Sequence, residues 1–157
     1  MKGQSLFEVV LAIGLIGMIL VSVVSLASSS VKTTNSSKVK SLASKFSQEG
    51  IEWIRSQRDQ DWTTFASKSS AGTRIWCISD LTWPAGSSPW YCNHSGSWDY
   101  IPDPDNPALD SIYKREVFLT TLVAGTTIEA QVFVYWDDDS GYHEVRTSTI
   151  LTRWKDQ

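Results

Sequence analysis

Few residues of this chain have the type and spacing to do chemistry. Cys77 and Cys92 enclose fourteen residues, and two thiols can pair, stay free or ligate a metal. A structural zinc site needs four N or S ligands. With two Cys it would have to recruit both His94 and His143, almost fifty positions apart, and that spacing supports no site. The stretches DPDNPALD, 103–110, and DDDSG, 137–141, are rich in the oxygen donors that Ca²⁺ prefers, but neither has the EF-hand spacing. Asp, Asn, Pro and Gly at those positions fit turns, so no metal ligands are assigned. No Gly-rich phosphate loop is present and no nucleophile has a His placed beside it. The expectation is a chain without catalytic residues or cofactor.

The remaining reactive group is Glu8, near the start of KGQSLFEVVLAIGLIGMILV, 2–21. From Leu6 to Ala27 it is the only charge in 22 residues. A helix of that length spans roughly 33 Å, close to the ~30 Å hydrocarbon thickness of a bilayer. A charge at the centre of a membrane helix costs roughly 2.5–3.5 kcal/mol, and Leu or Val would avoid any such cost. An ordinary secretory signal has a basic n-region, a shorter apolar core and a small-residue cleavage site after it. This segment departs on all three points. Glu8 then either sits in the headgroup layer of a plain signal anchor or has a partner.

Gly3 followed by an apolar run with Glu at the fifth position after it resembles the class III signal of type IV prepilins and pseudopilins. The resemblance implies a leader of residues 1–3, cleavage by a prepilin peptidase between Gly3 and Gln4, and N-methylation of Gln4. The family's usual Phe-Thr-Leu-Ile-Glu is here Gln4-Ser5-Leu6-Phe7-Glu8, a departure at the first mature position. It also implies a role for Glu8 in subunit assembly. The α-amino cation created at Gln4 of one subunit would meet Glu8 of a neighbour, and opposite charges buried together are tolerable where either alone is costly. The implied partners are other pilin or pseudopilin subunits, the peptidase, an inner-membrane assembly platform and, before assembly, membrane lipid.

These residues need elements to position them. Residues 28–38, SSSVKTTNSSK, are poor helix formers and read as a linker by propensity; the resemblance instead carries the first helix through them. Val39, Leu42, Phe46, Gly50, Trp53 and Ile54 then recur at helical spacing as one apolar face. Lys45 and Glu49 are set for an i,i+4 pair, and the helix ends between Asp59 and Asp61. EGIEWIRSQRDQDW, 49–62, resembles the end of the first helix in PilV-type minor pilins. Residues 63–111 are irregular, apart from a short strand expected at TRIWCI, 73–78. Three strands follow: 113–122, 127–136 with Ala130, Val132, Val134 and Trp136 on one face, and 143–154. Their short connections predict an antiparallel meander, and this tail too resembles PilV-type proteins. The expected fold is α+β and pilin-like: a long N-terminal helix packed on a small antiparallel β-meander. Its parts are the leader 1–3, a membrane or filament-core helix 4–27, an amphipathic continuation 28–58 and a globular head 59–157.

With 14 Lys+Arg against 17 Asp+Glu, the chain lacks the basic surface of a nucleic-acid binder. Trp76, Trp83, Trp90 and Trp98, with Tyr91 and Tyr100, crowd the cysteine loop. Trp83, Trp90 and Trp98 are candidates for ligand contact by stacking, the alternative being that they form the core of the head. Asn35 and Asn93 stand in glycosylation sequons. The reading is a minor pilin-like structural subunit of a type IV pilus-like filament. Ser25 at the twenty-second mature position, where major pilins often have Pro, fits a minor subunit. The alternatives are a pseudopilin of a type II secretion system, or a filament-tip adhesive module using the Trp-rich loop. The localisation implied is the cytoplasmic (inner) membrane with the head outside, then an extracellular or periplasmic filament. In such a compartment disulfides persist, which gives a Cys77–Cys92 bridge as the expectation. Alkylation of the unfolded, unreduced protein should therefore label neither cysteine, and full labelling of both would refute the bridge.

Overall fold

The computed structural model describes residues 3–78, 80–84, 112–138 and 140–154. The element order is α1 (Gly3–Gln60), α2 (Trp62–Ala66), β1 (Arg74–Cys77), β2 (Lys114–Val123), β3 (Thr127–Asp138) and β4 (Gly141–Thr152). By internal contacts the chain divides into two units, Met1–Lys40 and Ser41–Gln157.

The first unit is helical throughout its described residues. Residues 28–38 are helix, not linker. Ser, Thr and Asn each cost about 0.5 kcal/mol relative to Ala, but once a helix is nucleated each further residue adds its own bond without a new nucleation cost. Two of the hydroxyls are also satisfied locally. Thr33 and Thr34 donate to the carbonyls of Ser29 and Ser30, at 3.0 and 2.8 Å, so they do not compete for the backbone from outside the helix.

The second unit is a helix on a four-stranded antiparallel sheet of order β1-β2-β3-β4. The expected three-stranded meander is present, and β1 extends it by pairing with β2 from Arg74↔Leu119 to Cys77↔Glu116. Its third strand begins two residues earlier than expected, at Gly141, because Gly141 has a positive φ of 112° that lets the turn close tightly. Burial on β3 follows the two-residue period. Ile128, Ala130, Val132 and Val134 are 0–1% exposed and Trp136 5%.

Against that face lies the part of α1 from Ala43 to Ile54. Its buried stripe is Ala43, Phe46, Ser47, Gly50, Ile51 and Ile54, offset from the expected face: Val39, Leu42 and Trp53 flank it, half-buried. Small residues set the approach. Ser47 Oγ lies 2.7 Å from Thr147 Oγ1 and 3.3 Å from the Val132 carbonyl oxygen. Glu49 does not serve the expected Lys45 pairing. Its carboxylate meets Arg115 of β2 at 3.1 Å, and the same guanidinium group donates to the carbonyls of Phe46 at 3.0 Å and Ile78 at 3.1 Å. Asp61 follows the end of α1 and caps α2, accepting from the Thr63 and Thr64 amides at 2.8 and 3.1 Å, so a short helix starts the stretch expected to be irregular. Trp62 of α2 is buried and donates from Nε1 to the Gly125 carbonyl at 3.0 Å, tying α2 to the β2–β3 turn.

Gly50 marks the closest approach. A Cβ there would stand 2.9 Å from Val132 Cγ1 and 3.1 Å from Arg115 Cδ, so a larger residue must push the helix off the sheet. Gly50→Val should lower stability by about 2 kcal/mol in spite of its better helix propensity. Urea unfolding of the detergent-solubilised chain, followed by circular dichroism, checks this; an unchanged midpoint would show that the contact yields freely.

Candidate functional site

The largest chemical anomaly of the described residues is on α1. Between Leu6 and Leu26, fifteen large apolar side chains are at least half exposed, from Leu11 at 50% to Met18 and Val21 at 72%. Burying one such side chain is worth about 1.5–3 kcal/mol, so together they represent tens of kcal/mol that water does not offset. Such a surface requires lipid or protein around it. Among the described residues α1 is the one helix long and apolar enough to cross a membrane.

Glu8 lies exposed on this surface, the one carboxylate among its apolar neighbours. Gly3 and Gln4 belong to the first turn of the same helix. Gly3, Gln4 and Glu8 thus fall on one continuous element. Gly14 and Gly17 have open space where a Cβ would be, which leaves the backbone accessible there.

The candidates in the second unit fall differently. Trp83 is half-buried, its ring 4.8 Å from that of Trp53 and 5.2 Å from that of Trp76. Its indole N–H donates to Gln57 Oε1 at 2.8 Å. Trp76 is 4% exposed and donates to the Lys68 carbonyl, while Lys68 Nζ lies over both rings at 5.2 and 5.6 Å. Trp83 therefore joins α1 to β1 through tilted and edge-on indole contacts. Cys77, at the end of β1, is disulfide-bonded. Cys92, Trp90 and Trp98 lie outside the described residues, as do Asn93 and the 103–110 stretch. Of the second acidic stretch, Asp138 accepts from the Ser140 amide at 2.7 Å and from His143 at 3.0 Å. The Ser140 amide, more than the nearby imidazole, holds its carboxyl below the usual range. Among the described residues no group of three or more His, Cys, Asp or Glu could hold a metal ion.

Sequence reading missed two groups. One is Arg115, 3% exposed, whose ionisation burial disfavours and Glu49 favours. The other is a set of aromatic and charged residues on the second face of the sheet: Glu116, Phe133, Tyr135, Tyr142, Glu144 and Arg146. Their signal is the period-2 pattern of β4, where Tyr142, Glu144 and Arg146 alternate with inward residues.

No protein-family model matches the chain, and no curated protein or solved structure is significantly similar to it.

The resemblance of Gly3, Gln4 and Glu8 to a class III leader generates a direct test. Mass spectrometry of the mature chain should find Gln4 at the N-terminus, methylated or cyclised; an intact Met1, or a cut after Ala27, would refute a class III leader.

Proposed function

We propose that this chain is a structural subunit of a type IV pilus-like filament, of the minor-pilin kind, cleaved after Gly3 and assembled through its N-terminal helix. The observation that carries the reading is the conjunction on α1 of three things: Gly3 three residues from the start, Glu8 five positions beyond it, and an apolar surface exposed from Leu6 to Leu26. A membrane anchor alone accounts for the apolar run but gives no reason for Glu8. A filament core does, because the neighbour's Gln4 amine needs a counter-charge in a dry setting. Open backbone at Gly14 and Gly17 is consistent with close helix neighbours, as small residues are in membrane helix pairs.

Before assembly the same surface lies in the bilayer, and lateral transfer into a helix bundle exchanges lipid for protein at little hydrophobic cost. The second unit, with its own core, remains folded throughout. An adhesive role for the Trp-rich loop is less well supported at Trp83, whose N–H is already bonded to Gln57.

Glu8→Val separates anchoring from assembly. It makes the segment more apolar, so cleavage and membrane insertion should persist. Incorporation into filaments should fall, because losing one partner of a buried pair costs about 3–5 kcal/mol. Comparing membrane and sheared-filament fractions of mutant and parent measures this. Normal incorporation of a correctly cleaved mutant would remove Glu8 from the assembly mechanism.

A further inference from the structure

The sheet ends on one side in an open edge. In the order β1-β2-β3-β4 the last strand has one neighbour, and among the described residues nothing pairs with its other side. Its pairing with β3 runs unbroken from Thr127↔Thr152 to Asp138↔Gly141. The strand includes no Pro, no Lys and no bulge, the devices that usually blunt such an edge. Its free groups follow from one bond. The Arg153 amide donates to the Thr126 carbonyl at 2.8 Å, so the next pair, Thr127 and Thr152, is not hydrogen-bonded. Counting back by twos, Ile150, Ser148, Arg146, Glu144 and Tyr142 likewise turn their N–H and C=O groups away from β3. An edge of this kind is a template for a further strand.

The charges on β4 choose the strand that fits. For an antiparallel second copy of β4, an axis at Glu144 or at Arg146 sets like charges directly opposite each other, which destabilises a strand pair. An axis at Thr147 leaves Glu144 opposite Ile150 and Arg146 opposite Ser148. An axis at Val145 sets Glu144 of each copy opposite Arg146 of the other, with Tyr142 opposite Ser148 and Val145 opposite itself. Glu144 and Arg146 already touch within the chain at 3.4 Å, while Tyr142 donates to Glu144 and Arg146 lies over Phe133. None of these contacts has to break, because around the Val145 axis the four charges alternate in sign. The approach is also open. Ser47 touches Thr147 of β4 on one side, and Gly50 lies close to Val132 of β3 and to Arg115 of β2 on the other, so α1 rests over β3. Three strand spacings, about 14 Å, would separate the two helices, more than the 8–10 Å of packed ones.

We propose that β4 pairs with β4 of a second copy of this chain, antiparallel about a two-fold axis at Val145, so that two four-stranded sheets become one. Tyr142, Glu144, Arg146 and Ser148 of each copy then form hydrogen-bonded pairs with Ser148, Arg146, Glu144 and Tyr142 of the other, about eight bonds in all. An unrelated extended segment would have to bring an acid and a base two residues apart in the matching order; this chain brings them itself. The axis stands normal to the sheet, so the Ala43–Ile54 stretches of the two copies run antiparallel. The contact is therefore separate from the packing of N-terminal helices in the proposed filament and does not rest on it. It joins molecules that meet from opposite directions.

The test uses the full chain in non-ionic detergent with a nitroxide label at Ile150→Cys. Ile150 is 62% exposed, and Cys77 is disulfide-bonded, so the label reacts at the introduced thiol. Pulsed electron resonance should find a label–label distance of about 33 Å, against about 27 or 40 Å for the adjacent registers. Arg146→Glu sets carboxylates opposite each other and should raise the dissociation constant about tenfold. Combining it with Glu144→Arg restores the alternation and should bring the constant back to within about twofold of the parent. Ser148→Pro removes an N–H that points away from β3 and should abolish the distance while near-UV circular dichroism stays that of the parent. A different distance, or one that survives both Arg146→Glu and Ser148→Pro, would place the contact elsewhere and overturn the proposal. So would failure of the double variant to recover. Slow hydrogen exchange at Tyr142, Glu144, Arg146 and Ser148 without any paired distance would show another molecule on the edge, and would equally overturn it.

Discussion

The buried guanidinium of Arg115 is the interaction on which the second unit depends. Its side chain is 1% exposed, and an ion in that position is stable only with its donors occupied. The occupants come from three places: the Phe46 carbonyl and Glu49 carboxylate of α1, and the Ile78 carbonyl just past β1. Helix, central strand and the end of β1 are thereby fixed to one group. A carbonyl in the middle of a helix already accepts from the i+4 amide, so the bond from Arg115 uses its second lone pair. That restricts which turn of α1 can sit over β2. The close approach at Gly50 and the Ser47–Thr147 contact then specify the same register, one by lack of volume and the other by hydrogen bonding.

The first unit answers to a different constraint. Its described residues are one helix whose apolar side chains meet no core of their own. Beyond the first turn, backbone N–H and C=O groups pair within the helix, which is the condition for residence in hydrocarbon. The side chains leave open whether the surrounding medium is lipid or other helices. The proposed function uses that indifference: one surface serves two environments, and Glu8 distinguishes them.

The strands of the sheet were largely legible in the sequence, because alternation on β3 (Ala130, Val132, Val134, Trp136) reflects the one physical fact of a half-buried strand. The C-terminal half of α1 was legible in its extent and in part of its face, since Phe46, Gly50 and Ile54 lie in the buried stripe. Large side chains mark a face by volume, and Leu42 and Trp53, which only flank the contact, mark it as strongly as the buried residues do. At the actual contact, Ser47 and Ala43 are small because the backbones approach, and smallness carries no apolar signal. β1 was recognised as a strand but its partner was not, since pairing across about forty residues leaves no local trace. Arg115 was unreadable for a related reason: an arginine in a strand usually marks the solvent face. For residues 28–38 propensity alone pointed to a linker while the resemblance carried the helix through, and the helix is what is present, because propensity counts each residue alone whereas helix growth depends on its neighbours. The expectation at Gly3 and Glu8 rests on sequence spacing alone and draws on no fold.

The contact of Trp83 with both Trp53 and Trp76 has an optical consequence. Indole rings whose centroids lie 4.8 and 5.2 Å apart and whose planes are inclined by 48° and 74° couple their electronic transitions. Inclined, coupled chromophores give a paired positive and negative circular-dichroism signal that separated indoles lack. Because Trp53 belongs to the helix and Trp76 to the sheet, the signal exists only while those two surfaces are docked. The protein therefore carries an intrinsic spectroscopic reporter of that joint, distinct from the far-ultraviolet helix band, which α1 would retain after undocking.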